Sequence, residues 1–271
     1  MGDKIGIGDS RDSISTRKRK ASPQNSVDQK LRVYIWDMDE TLILLKSLLN
    51  RTYAEAFNGL KDVEKGVEIG EQWEKYILQV CDAYFFYEQG LHGILGQDMI
   101  KFLDDLYDGT DSYTDRWLSS AQTCLGQCSG RNKELTSNAD SADGMSDSPT
   151  KFEHVNILVT SGSLIPSLVK CLLFRLDNLI TYKNVYSSWE VGKLQCFSWI
   201  KERFTGLNVE FCVIGDGWEE CEAAQAMRWP FVKIDIQPGG CHRFPGLTLR
   251  TLNHYFSVVY GDSDAKKEDD A

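Results

Sequence analysis

The run Val33-Tyr34-Ile35-Trp36 is continuously apolar, and it stops at two acids, in Asp37-Met38-Asp39-Glu40-Thr41. Apolar residues in an unbroken row bury both faces of an extended chain, so the run reads as a parallel strand with helices on either side. Parallel strands need long crossovers, and the later chain supplies them. Short apolar strands at 155–159, 185–187, 209–214 and 231–234 alternate with helical stretches at 164–175, 192–204, 218–228 and 247–259. That rhythm predicts an α/β fold, a doubly wound parallel sheet of Rossmann-like type.

Between the first strand and this series the texture changes. From Thr41 to about Ala56 the chain is apolar and helix-permissive, and Trp73, Tyr76, Ile77, Val80, Cys81 and Tyr84 then recur at the i, i+3, i+4 spacing of an amphipathic helix. Two more helices are expected near 95–107 and 113–125. The aromatic stripe reads as core packing. A helical insertion after a strand of an open α/β sheet is expected to cap the sheet's carboxyl edge, where such sheets bind ligands. The chain therefore divides into a disordered polar tail at 1–30, a core at 31–43 and 151–260, a helical cap at 44–128, a flexible loop at 129–150 and an acidic tail at 261–271.

Composition removes several function classes. The formal net charge of −10 opposes wholesale binding to a phosphate backbone. No apolar run approaches the roughly 20 residues of a membrane helix, so no membrane contact is expected. Residues 1–20 are polar with no apolar core, so no secretory signal is expected, and Gly6 stands where a myristoylation site needs Ser or Thr. An intracellular protein, nuclear and/or cytoplasmic, is expected. Arg17-Lys18-Arg19-Lys20 before Ser22-Pro23 reads equally as a nuclear-import signal or as a solvated charge run. The eight cysteines are then free thiols. Cys124 and Cys128 form the tightest pair but lack two further zinc ligands nearby, and no cysteine stands in a Cys-x5-Arg phosphate loop.

Four sites fall at strand ends or helix starts. Asp37 and Asp39 follow the first strand, and their mutual repulsion is relieved by a cation such as Mg²⁺, which also draws in phosphate oxygens. Asp37 could then attack phosphorus, while Asp39 protonates the leaving oxygen and later activates water. Thr160-Ser161-Gly162 ends the strand at 155–159, where hydroxyls and free N–H groups can cradle phosphate or merely cap a helix. Gly192-Lys193 opens a helix, where the lysine can neutralise both a phosphoryl oxygen and the nucleophilic carboxylate. Gly215-Asp216-Gly217 ends the strand at 209–214, and the flanking glycines are expected to turn the backbone sharply and aim Asp216 at the metal. Glu220 reads as an acid holding metal-bound water, or as one of the acids that favour a helix start.

In this order the blocks resemble the motifs of the haloacid-dehalogenase superfamily. Finer matches are to the Eyes absent family. Tyr34-Ile35-Trp36-Asp37-Met38-Asp39-Glu40-Thr41, Ser47-Leu48-Leu49 with Tyr53-Ala54, residues 155–160 with Leu164-Ile165-Pro166, Gly192-Lys193 with Cys196-Phe197, and Ile214-Gly215-Asp216-Gly217 with Glu219-Glu220 and Pro230-Phe231 are similar to blocks of that family. The resemblance covers about residues 31–260. It implies a Mg²⁺-dependent phosphatase that cleaves phosphotyrosine in proteins through an aspartate. It also implies that Asp37 is nucleophile and metal ligand, that Asp39 is acid/base and binds the metal through its backbone carbonyl, that Asp216 is a metal ligand, and that Thr160 and Lys193 contact phosphate. The long N-terminal transactivation region of animal members has no counterpart here and the cap is shorter, which points to a compact, plant-type member.

Two other readings keep their place. The same chemistry fits phosphoserine, phosphothreonine or a small phosphorylated metabolite, because cap shape selects the substrate. A reading of another class is a nuclear scaffold or coactivator with transcription-factor partners, against which all four chemical sites are intact.

Overall fold

A computed structural model describes residues 30–83, 96–130 and 152–261. The expectations for the two tails, for the loop at 131–150 and for Tyr84 fall outside these residues. The apolar run becomes strand β1 (Leu31–Trp36), the centre of a five-stranded sheet. The other strands are β2 (Glu153–Thr160), β3 (Val185–Ser187), β4 (Val209–Gly215) and β5 (Phe231–Lys233). Every pairing is parallel and the spatial order is β3-β2-β1-β4-β5. Trp36 stands level with Leu158 on β2 and Ile214 on β4. The residues that follow, Asp37, Thr160-Ser161 and Gly215-Asp216, therefore emerge at one edge of the sheet. The Asp37 N–H still donates to the Ile214 carbonyl at 2.9 Å, so the nucleophile candidate is held by the last rung of the ladder.

Alternation along β1 sends Tyr34 and Trp36 to one face and Val33 and Ile35 to the other. The second face is covered by α7 (Lys193–Arg203) and α8 (Trp218–Met227), through Cys196, Phe197, Ile200, Ala223 and Ala224. The first face carries α6 (Leu164–Leu173), α9 (Leu249–Tyr260) and the helical insertion, all in one continuous core.

The insertion comprises α1 (Lys46–Leu49), α2 (Thr52–Glu55), α3 (Val63–Ala83), α4 (Gln97–Tyr113) and α5 (Trp117–Cys128). Trp73 is fully buried, with Ile77 and Val80 nearly so, and Tyr76 and Cys81 pack at the margin, as the periodicity predicts. The helix-permissive stretch over 41–56 does not form one continuous helix. Met38 O receives the N–H groups of Thr41, Leu42 and Ile43 in a tight turn, and Arg51 at φ 71° separates two single-turn helices. Local propensity loses there because the chain must leave the sheet edge and reverse within a few residues.

Buried polar contacts tie the insertion to the sheet. The Trp36 indole donates to Asn156 Oδ1 at 3.1 Å, and Asn156 Nδ2 donates to the Leu125 carbonyl at 2.9 Å. The Trp117 indole donates to the Thr41 carbonyl at 3.1 Å, anchoring the turn that follows the two acids. Burying each such ring is worth about 2–3 kcal/mol, and each satisfied hydrogen bond about 1 more. Among the described residues no helix is long and apolar enough to cross a membrane.

Candidate active site

Three strand ends and two helix starts converge on one spot. Lys193, the first residue of α7, places Nζ against Asp37 Oδ1 and 3.0 Å from Glu220 Oε2. Thr41 Oγ1 lies 3.3 Å from Asp216 Oδ1 and 3.5 Å from Asp37 Oδ2, close enough to donate to either. One carboxylate oxygen each from Asp37, Asp216 and Glu220 falls within 4.8 Å of the others. Asp37, Lys193 and Glu220 are buried, whereas Asp216 is half-buried.

The charges do not balance. Burial pushes the Asp37 carboxyl upward, Lys193 opposes that, and Glu220 and Asp216 reinforce it. Asp216 is raised to about 6 by burial, with Glu220 and Glu40 adding to the rise. Burial alone would depress Lys193, yet Asp37 and Glu220 beside it hold its ammonium above the ordinary value. The two upward shifts have different causes: burial leads for Asp37, whereas the carboxylates of Asp37 and Glu220 lead the rise of Lys193, and a single ammonium among several carboxylates leaves negative charge in surplus. A compact set of oxygen donors with surplus negative charge suits a hard divalent cation.

The glycines around Asp216 serve a purpose other than the sharp turn expected of them. Neither Gly215 nor Gly217 has a positive φ. Instead, a Cβ on Gly215 would come within 2.6 Å of Glu220 Cγ, and one on Gly217 within 2.9 Å of Glu220 Oε1. They are absent side chains that make room for Glu220. That residue also closes the start of α8, its Oε1 accepting from the Gly217 N–H at 2.6 Å. Glu220 is thus both a helix-start acid and a member of the carboxylate cluster. Gly192 does need its lack of a Cβ for conformation, at φ 77°, to deliver Lys193 inward.

Other predicted residues divide. Ser161 lines the candidate pocket, a space of about 250 Å³ shared with Asp37, Asp39, Lys193, Asp216 and Trp218. Its hydroxyl donates to Glu219 Oε2 at 3.3 Å. Thr160 is buried beneath it and accepts from the Gly162 N–H at 3.1 Å, holding the turn. The carboxylate of Asp39 stands apart from the three-acid cluster and accepts from Lys170 at 2.7 and 2.9 Å. Lys170 was not foreseen; its signal is that it is the one charged residue of the apolar helix α6. Glu40 was also missed. At φ 63° it folds back, and Oε1 accepts from Leu45 and Ser47 N–H groups, both at 3.1 Å. Of residues 44–128, Lys46 alone among the described residues lines this pocket, and the exposed Trp218 lines it from the start of α8.

A scan against protein-family models finds no match. Among curated proteins, the chain is 50% identical to the Arabidopsis thaliana protein phosphatase EYA, over 89% of this chain and 94% of that protein. The chain belongs to the Eyes absent family. A human relative, protein phosphatase EYA2, is 29% identical over 90% of this chain and 53% of its own length, so the chain spans about half of that protein. The Drosophila melanogaster protein phosphatase eya is 27% identical over 81% of this chain and 36% of its own. Solved haloacid-dehalogenase-like hydrolases from Bacillus subtilis and Xanthomonas campestris align with TM-scores of 0.39 and 0.42 at 12% identity, covering 85% and 86% of this chain and 99% of each of theirs. That likeness is too slight to add to the assignment, which rests on the sequence relatives and the parallel sheet. As a member of the Eyes absent family the chain is a phosphatase, and the cluster around Asp37 is its candidate catalytic centre.

Proposed function

We propose that the chain is a Mg²⁺-dependent protein-tyrosine phosphatase that works through an aspartyl-phosphate. The observation that carries this reading is the convergence of Asp37, Lys193, Asp216 and Glu220 in one negatively overcharged cluster, buried except for the half-buried Asp216, at the carboxyl edge of the sheet. Mg²⁺ held by Asp37, Asp216 and Glu220, with the Asp39 backbone carbonyl, would supply the positive charge that lets a phosphate dianion approach these carboxylates. Lys193 holds Asp37 ready and offsets charge on the transferring phosphoryl group. The Ser161 hydroxyl, which lines the pocket, would donate to a phosphate oxygen. Asp37 forms the new P–O bond as the P–O bond to tyrosine breaks, and the phenolate takes a proton from Asp39. Asp39 then removes a proton from water, which attacks phosphorus and frees Asp37 and inorganic phosphate.

Two features support tyrosine over serine or threonine. Trp218, 71% exposed, stands at the pocket mouth where a phenyl ring would enter. Both oxygens of Asp39 accept from Lys170, so proton donation requires that bridge to open. A phenol, with a pKa of about 10, leaves with less proton assistance than an alkoxide.

The test compares phosphotyrosine, phosphoserine and phosphothreonine peptides with small phosphate esters, with and without Mg²⁺, alongside the Asp37→Asn protein. Hydrolysis of phosphotyrosine that needs Mg²⁺, and falls by roughly a thousandfold or more in Asp37→Asn with the fold unchanged, is expected. Undiminished turnover by Asp37→Asn would overturn the mechanism, and equal rates on phosphoserine would overturn the specificity. The location remains nuclear and/or cytoplasmic as a proposal, resting on the basic run 17–20.

A further inference from the structure

A groove of about 670 Å³ adjoins the catalytic pocket, and Ser161, Lys193 and Glu219 line both. The contact between the Ser161 hydroxyl and Glu219 forms the sill between the two spaces. Beyond it the groove is bordered by Trp189 and Leu194 from the approach to α7 and its first turn, and by Glu222 from α8. Trp189 is 70% exposed and Leu194 is 49% exposed. Trp189 and Leu194 line the same concave surface, so this exposed apolar area is offered inside a groove that opens beside the catalytic pocket.

The charge of the groove says what. Lys193, the cation among its lining residues, is already committed to Asp37 and Glu220. Glu222 is exposed and, among the described residues, has no ion-pair partner. The lining therefore presents a free carboxylate at Glu222, a second acid at Glu219 and an open indole face at Trp189. An acidic or nucleic-acid ligand would be repelled, and the net charge of −10 adds to that repulsion. A guanidinium or ammonium side chain is matched twice, by stacking on the indole and by pairing with the carboxylate.

We infer that this groove holds the polypeptide flanking the phosphotyrosine and selects segments with an arginine or lysine close to it, the basic side chain lying over Trp189 and against Glu222. The inference rests on the protein-tyrosine reading above for its substrate, but its selectivity concerns flanking residues and can be read on any phosphopeptide. Arginine is preferred to lysine, because its planar head can stack and pair at once. Trp189 and Glu222 touch no reacting atom; they set which peptides dock.

The experiment measures kcat/KM for phosphotyrosine peptides of one sequence in which Arg or Glu replaces each flanking residue in turn, with matched phosphoserine peptides and p-nitrophenyl phosphate as controls. Wild-type protein is expected to favour the best Arg-placed peptide over its Glu counterpart by about tenfold. Glu222→Lys should erase or reverse that preference, and Trp189→Ala should raise KM for the Arg peptide about threefold to fivefold. Both should leave p-nitrophenyl phosphate turnover unchanged, since that ester does not reach the groove. Equal rates for Arg and Glu peptides in the wild type overturn the inference, whatever the variants do. A Trp189→Ala or Glu222→Lys loss that falls equally on p-nitrophenyl phosphate overturns it too. If phosphoserine peptides react as fast but keep the Arg preference, the groove assignment stands and the tyrosine reading fails. If no peptide is turned over, the same peptides serve as inhibitors of p-nitrophenyl phosphate hydrolysis, and indifference of their inhibition constants to Arg or Glu overturns the inference.

Discussion

The ammonium of Lys193 lies 3.0 Å from Glu220 Oε2, with both side chains almost wholly buried. It touches Asp37 as well, so one lysine neutralises carboxylates from two separate elements. Lys193→Met would leave both buried acids unpaired. Loss of roughly 3–5 kcal/mol of stability is expected in urea titrations run with EDTA, and Lys193→Met/Glu220→Gln should recover part of it. Catalysis should fall by about a hundredfold or more even where the variant is folded.

Gly215 faces Glu220 so closely that a methyl group would collide with its side chain. Gly215→Ala is expected to destabilise by about 1–3 kcal/mol and to lower kcat/KM by displacing Glu220. Combining it with Glu220→Ala should relieve the clash, so the two stability changes will not add when denaturation midpoints are compared.

Asp216 carries a pKa raised to about 6 from the ordinary 3.8. The folded state thus binds a proton more tightly than the unfolded chain. Stability from this site is greatest below the ordinary value and is lost as pH rises through about 6. A divalent cation binds the ionised form and reverses that loss. The rise in melting temperature on adding Mg²⁺ should therefore be small near pH 5 and grow towards pH 7, as thermal unfolding with and without Mg²⁺ will show. A shift independent of pH would contradict it.

Lys170 engages both oxygens of Asp39 from the far end of α6. Lys170→Met should free Asp39 to deliver its proton and raise hydrolysis of alkyl phosphates relative to aryl phosphates by several-fold. Steady-state rates on a series of esters of graded leaving-group acidity will measure this. An unchanged series would mean that the bridge has no part in proton delivery.

Much of this was legible along the chain because its signals are local. An apolar strand that ends in acids, Gly192 before Lys193, and glycines around Asp216 each announce a strand end or helix start without knowledge of the rest. Lys170 was illegible because its partner is Asp39, which lies 131 positions away. The stretch over 41–56 permits a helix by residue preference, but leaving the sheet edge breaks it into a turn and two short helices, a geometry that neighbours in the chain do not encode.

The sequence by itself determined the parallel sheet, the elements on its two faces and the identity of the acids at its edge, because period and strand-end chemistry follow from neighbours in the chain. Only the tertiary structure decided that Glu220 joins the cluster, that Gly215 exists to admit it, that Asp39 is held by Lys170, and that Trp189 and Glu222 border one groove. These depend on register: pairing Trp36 with both Leu158 and Ile214 brings three distant strand ends level. Once level, their side chains meet at distances that no local pattern encodes.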